Sequence, residues 1–211
     1  MGPLYTPPSL NGTIIMPGNI GGAGWGGGAF DARSGTIYIK STIQPSLLKV
    51  MPIVSPTDSV NAPYTLDLPA TGTLQLRVGG DSTPPLPINK PPYGTMTAID
   101  LASGNQRWQV TFGDSPAIRG HPLLKDLNLP PLGTPGAPGA IVTAGGLLFA
   151  SGGGSSIYAL DTKDGRVLWS HELGQRAYSV PMTYRTSGGR QFVVIASGAA
   201  TGARLTAFAL R

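Results

Sequence analysis

Short apolar stretches separated by turn residues run along most of this chain. The pattern predicts a first hairpin from Gly26, with Ala29-Phe30-Asp31 turning through Ser34-Gly35 into Thr36–Ile39. Beyond residue 140 the same rhythm predicts a meander of strands at Ile141–Thr143, Leu147–Ser151, Ile157–Asp161, Val167–Glu172, Ser179–Tyr184, Gln191–Ser197 and Leu205–Leu210. Gly145-Gly146, Asp164-Gly165 and Ser187-Gly188-Gly189 supply the hairpin tips, because these residues accept turn conformations at low cost. Segment 1–24 is irregular apart from a strand at Thr13–Met16. Segment 41–95 is broken by prolines at 45, 52, 56, 63, 69, 84, 85, 87, 91 and 92, with its best strand at Thr73–Val78. So long a stretch reads as a binding loop or an insertion packed on a neighbour. A second long connection, 113–139, carries a short helix around His121–Leu127.

Inside this pattern one motif occurs twice. Ala98-x-Asp100-x-x-x-Gly104-x-x-x-Trp108 returns as Ala159-x-Asp161-x-x-x-Gly165-x-x-x-Trp169, offset by 61 residues at every matched position. A fixed period of this length marks repeated supersecondary units such as propeller blades. Each motif residue has a physical task. An Asp at the start of a turn accepts backbone N–H bonds from residues two or three further on. The Gly then takes a left-handed conformation that costs a residue with a β-carbon about 1–2 kcal/mol. The Trp suits burial of a large area against the adjoining unit. Asp31 and Gly35 share the spacing, but Ile39 stands where the repeats carry Trp, so that hairpin is a related turn and not a third repeat.

Composition agrees with a turn-rich β protein. Of 211 residues, 31 are Gly and 21 Pro, while 40% are hydrophobic, which excludes an all-helical fold. Charged residues make up only 12%, and a formal net charge of +5 is scattered without a basic run, so no nucleic acid is expected as partner. There is no cysteine, hence no disulfide and no thiolate metal site. No signal peptide is expected at the N-terminus, and no apolar run long enough to span a membrane is present. His121 and His171 stand fifty residues apart with no further ligand nearby, which makes both ordinary polar residues. Asp114-Ser115 lacks a His partner and reads as a turn cap. Gly152–Ser156 and Gly21–Gly24 lack the flanking helix of a phosphate or dinucleotide loop.

The repeated Ala-x-Asp-x-x-x-Gly-x-x-x-Trp pattern resembles the tryptophan-docking motif of the pyrroloquinoline quinone (PQQ) dehydrogenases, of the membrane-type glucose and alcohol dehydrogenase kind. Pro17–Gly22 through Gly24-Trp25-Gly26-Gly27, Pro92-Tyr93-Gly94, Val142–Phe149 and Pro181–Tyr184 fit the same resemblance, which covers about residues 8 to 210. It implies an all-β fold, part of an eight-bladed β-propeller of antiparallel four-stranded blades. About half the ring is expected here, three to four blades' worth, from its C-terminal part. One partial domain over 1–211 follows, with irregular loops and first-blade strands in 1–95 and two Trp-motif blades plus closing strands in 96–211.

The resemblance further implies oxidation of an alcohol or aldose by hydride transfer to PQQ, with electrons passed to a quinone or cytochrome in the periplasm. The family's catalytic Asp and Ca²⁺ ligands come from earlier blades, so no catalytic or metal residue is assigned here. Cofactor-side candidates are Trp25 with Gly24, where relatives carry a polar or acidic residue, and Ala177 with Tyr178. The chain alone is expected to be inert, with the cofactor site empty. Its expected partners are the remaining N-terminal blades, or a second copy joined through open sheet edges. The alternative is a non-enzymatic propeller scaffold of the outer-membrane assembly type, binding proteins through loops.

Overall fold

The computed structural model describes residues 3–53, 63–67, 74–80 and 82–210. In chain order the strands are β1 (Thr13–Ile15), β2 (Gly22–Asp31), β3 (Thr36–Thr42), β4 (Ser46–Pro52), β5 (Tyr64–Asp67), β6 (Gln75–Leu76), β7 (Leu86–Pro87), β8 (Gly94–Asp100) and β9 (Gln106–Thr111). A single-turn helix α1 (Pro116–Arg119) follows. The chain continues with β10 (Ala140–Val142), β11 (Leu147–Ser151), β12 (Ser156–Asp161), β13 (Val167–Glu172), β14 (Met182–Arg185), β15 (Gln191–Ser197) and β16 (Arg204–Ala209).

Three antiparallel meanders carry the architecture. Two are four-stranded, ordered β2-β3-β8-β9 and β10-β11-β12-β13, and the third, β14-β15-β16, has three strands among the described residues. Apolar residues of neighbouring sheets bury against one another, so the sheets stack. Ala29, Tyr38, Met96 and Ala98 of the first sheet, with Phe112 just beyond β9, bury against Ala140, Leu148, Ala150 and Leu160 of the second. Ile157 of the second sheet packs with Ala177, Val193 and Ile195, and with the half-buried Phe149, Leu173 and Phe208, against the third.

Both motif turns form as their chemistry requires. Asp100 Oδ1 accepts the N–H groups of Ala102 and Ser103 at 2.9 and 3.1 Å, and Asp161 Oδ1 accepts that of Lys163 at 2.9 Å. Gly104 and Gly165 take φ of +72° and +76°. Trp108, on β9, reaches across to the next sheet: its indole N–H donates to the Thr162 carbonyl at 2.9 Å. A β-carbon at Gly165 would sit 2.7 Å from that ring, so Gly at this position serves the indole as well as the turn. Trp169 stacks on His171 and meets Phe208 of the third sheet edge-on at 5.1 Å.

Three local expectations are corrected. Segment 41–95 is not one irregular stretch: β4 pairs with both β1 and β5, and β6 with β7, building two small sheets between β3 and β8. These strands were hidden because β1 and β4 pair across more than thirty residues, and prolines bound each short run. Within the expected strand at Thr73–Val78 only Gln75–Leu76 is extended, and Thr73 lies outside the described residues. Third, the helix sits at Pro116–Arg119, where Pro at its first turn fixes the starting φ, while 121–127 closes in successive turns.

Candidate functional site

At the end of the sheets where the long connections gather, β2 departs from regular pairing. Ala23 pairs with Ser41 and Gly28 with Ile39, so residues 24–27 oppose Lys40 alone. The bulge throws Trp25 outward, leaving its side of the ring largely free, at 81% exposure. Gly24 directly precedes Trp25 in the bulge. A β-carbon there would lie 2.2 Å from Ala137 Cβ, so the absence of a side chain is what lets segment 134–139 close on the bulge. Gly24→Ala is accordingly expected to cost about 1–3 kcal/mol by overpacking. Thermal melting checks the loss, and a changed environment of the Trp25 indole in NMR checks its location.

Trp25 and Tyr178 line one cavity of about 600 Å³, within the range of small-molecule sites. Its wall is completed by segment 134–137, the Gly153-Gly154-Ser155 hairpin, Tyr93, Gln44 and Arg176. Arg176 donates to the Tyr178 hydroxyl at 3.0 Å and forms no ion pair among the described residues, so its positive charge is available. The Gln44 side-chain oxygen is buried with no hydrogen-bond partner. Asp114 also borders the space, but Arg119 holds its carboxylate at 2.8 and 3.0 Å and Leu132 N–H donates to it at 2.9 Å. Arg119 thereby keeps the Asp114 carboxyl below its ordinary value, ionised and structural, unsuited to accept a proton.

Of the four residues singled out in the sequence, the structure brings Trp25 and Tyr178 to the cavity surface. Gly24 and Ala177 lie behind it. Ala177 is fully buried; its N–H donates to the Gly154 carbonyl at 2.9 Å, and its carbonyl accepts the Ser151 hydroxyl. It acts through its backbone, holding the Gly-rich hairpin, and presents no face to a ligand. Ser115 does not cap α1 with its side chain; its hydroxyl donates to the Gly133 carbonyl at 2.7 Å. His121 is buried: Leu123 N–H donates to its Nδ1 at 3.1 Å, so the Nε2 hydrogen faces the Pro84 carbonyl at 3.0 Å. Among the described residues no three His, Asp or Glu side chains converge as a metal site.

Sequence reasoning missed Lys40. Its side chain points inward from β3, buried at 2% exposure, and burial pulls its pKa down to about 7. The only signal was its place in the alternation Thr36, Tyr38, Lys40, Thr42, all four of which are buried.

Meandering antiparallel sheets stacked side by side, with an indole of one seated on a turn of the next, define a sector of a β-propeller. Comparison with known proteins agrees. The chain belongs to the family described as PQQ glucose/ethanol/alcohol dehydrogenase, β-propeller domain, matching it over residues 1–193. It is 32% identical to the glycerol dehydrogenase large subunit of Gluconobacter oxydans, over 92% of this chain and 28% of that protein. It is 31% identical to the quinoprotein glucose dehydrogenase of Escherichia coli, over 92% of this chain and 26% of that protein. The chain thus spans about a quarter of the length of these relatives. Among solved structures, a europium-containing methanol dehydrogenase superposes with TM-score 0.55 at 23% identity, over 88% of this chain and 26% of that one. The quinohemoprotein alcohol dehydrogenase of Comamonas testosteroni gives 0.56 at 20% identity, over 88% and 24%, which speaks to the fold alone. No helix among the described residues is long and apolar enough to cross a membrane.

Proposed function

We propose that this chain is one sector of the ring of a periplasmic PQQ-dependent dehydrogenase oxidising an alcohol or an aldose, and that its cavity forms one side of the quinone site. The observation that carries the reading is the convergence of Trp25 and Tyr178 on one cavity beside an unpaired cation, in a chain of this family. A flat tricyclic tricarboxylate needs aromatic faces and positive charge; Trp25 and Tyr178 supply the first and Arg176 the second. When bound, PQQ would supply the hydride acceptor for the oxidation and Ca²⁺ a Lewis acid beside it. This chain's residues bind and orient. Trp25 would offer its face to the cofactor, Tyr178 keeps the Arg176 guanidinium in place, and Gly24 and Ala177 fix the backbone behind them. Gln44 offers a buried acceptor whose unpaired state costs about 1–3 kcal/mol, offset when a ligand donor meets it. The catalytic base and the Ca²⁺ ligands belong to other blades, and electrons leave to a quinone or cytochrome. Trp108 and Trp169 act as docking wedges between blades.

With only this sector of the wall present, the 211-residue chain supplied with PQQ and Ca²⁺ is expected to reduce no dye and to bind PQQ weakly. Adding the remaining blades restores dye reduction with an alcohol or sugar. Robust dye reduction by the chain alone would sink the idea that other blades are needed. A complete ring that neither quenches its tryptophans with PQQ nor reduces dye would favour the partner-binding scaffold.

A further inference from the structure

We propose that Lys40 is a positioning residue for the cavity: its buried ammonium group clamps the 134–136 wall to the Trp25 bulge, so the gap between Trp25 and Tyr178 depends on its charge. Lys40 Nζ lies 3.0 Å from Thr42 Oγ1, 2.7 Å from the Thr134 carbonyl and 2.5 Å from the Gly136 carbonyl. Three acceptors match the three hydrogens of an ammonium; a neutral amine has two and must release one. Thr42 closes the network, donating to the Gly136 carbonyl at 2.6 Å and accepting the Gly136 N–H at 3.1 Å.

Register explains why this reaches the cavity. Lys40 occupies the position on β3 that the four bulged residues 24–27 oppose. The segment it grips continues into Ala137, whose methyl group fills the space over Gly24, and Ala137 O lies 2.3 Å from where a Gly26 β-carbon would sit. On its other flank the Tyr178 ring lies over Gly136, 3.2 Å from a would-be β-carbon. One ammonium group therefore stands behind both aromatic sides of the cavity. A hydrophobic residue would fill the same interior at no desolvation cost, so the charge is retained for the wall it ties and not for burial.

Among the described residues no carboxylate forms an ion pair with it. The acidic residues of its flanking strands, Asp31 on β2 and Asp100 on β8, both pair in register with Thr36 at the far end of β3, where they contact Arg33 and Arg107 respectively. Segment 134–139 and β10 carry no titratable side chain. Desolvation alone lowers its pKa, and the loss of its proton falls in an accessible range. The proposal concerns the shape of the cavity and stands whatever ligand the cavity takes.

NMR of the complete chain tests it through two reporters, the Trp25 indole N–H and the Gly136 amide, between pH 6 and 10. Both are expected to titrate together in the wild type, while the Trp108 indole, anchored on Thr162, does not follow. In Lys40→Met both reporters lose the titration, and Gly136 amide exchange at fixed pH rises at least tenfold. The same titration persisting in Lys40→Met, or unchanged Gly136 exchange there, overturns the proposal. Should that variant fail to fold, the wild type decides: reporters that do not titrate together below pH 10 also overturn it.

Discussion

Trp108→Ala is expected to lower stability by about 3 kcal/mol, the low end of the range for truncating a large core aromatic because the residue is half-buried, and to loosen the first sheet from the second. The indole makes three kinds of contact there. Its ring lies on Gly165, it tilts against Tyr38 at 5.8 Å, and its N–H satisfies the Thr162 carbonyl. Truncation removes apolar contact and strands a carbonyl at the same place, and both losses fall between sheets rather than within one. The same substitution at Trp169 is expected to cost less, about 1–2 kcal/mol, because 38% of that residue remains exposed and its partners are rings at a sheet edge. Gly165→Ala perturbs the Trp108 contact from the other side, adding a β-carbon 2.7 Å from the ring at a residue with φ +76°. Urea midpoints at constant m-value separate the cases. Equal losses for Trp108→Ala and Trp169→Ala would remove the distinction between a seated indole and an edge indole.

That asymmetry shows what the sequence could and could not disclose. The two motifs are alike at all four of their matched positions, so the turn geometry at Asp100–Gly104 and Asp161–Gly165 was legible from local chemistry alone. Where each Trp lands was not. Trp108 meets a glycine turn of the following sheet, whereas Trp169 meets Phe208, because the third sheet presents strand β16 there and no second Asp-x-x-x-Gly turn. Strands of the later meander were readable because each alternates over short distances. The sheet of β1, β4 and β5 was not, since its pairing is non-local and its strands are only three to seven residues long. In the cavity, family resemblance pointed to Trp25 and Tyr178, and both line it. Lys40 escaped notice because a lysine near the end of Thr36–Thr42 reads as the solvent side of a strand. In β3 the face of Thr36, Tyr38, Lys40 and Thr42 is the buried one and that of Ile37, Ile39 and Ser41 only half-buried, so the more apolar set of the alternation is not the inside.

Lys40 also makes the stability of the whole chain depend on pH in an unusual direction. Its pKa is about 7 when folded and near the ordinary lysine value of 10.5 when the chain is unfolded. Between these limits the unfolded state binds more protons, so raising pH favours the folded state. Stability is therefore expected to rise from pH 7 to pH 10 by about 3 kcal/mol through this residue, as the cost of burying a charge is lifted. Lys40→Met should lack that slope. At pH 7 it loses the Thr134 carbonyl's partner, an unpaired acceptor costing about 1–3 kcal/mol, while the Gly136 carbonyl keeps the Thr42 hydroxyl. It also escapes the desolvation cost, so the wild type gains stability relative to the variant as pH rises from 7 to 10. Burial raises the pKa of Tyr93 and Tyr158, which pulls stability down at the alkaline end, but equally in both proteins. The difference between urea midpoints at pH 7, 8.5 and 10 isolates Lys40. A constant difference would mean that the ammonium keeps its ordinary pKa in the fold, and that three acceptors outweigh the loss of water around it.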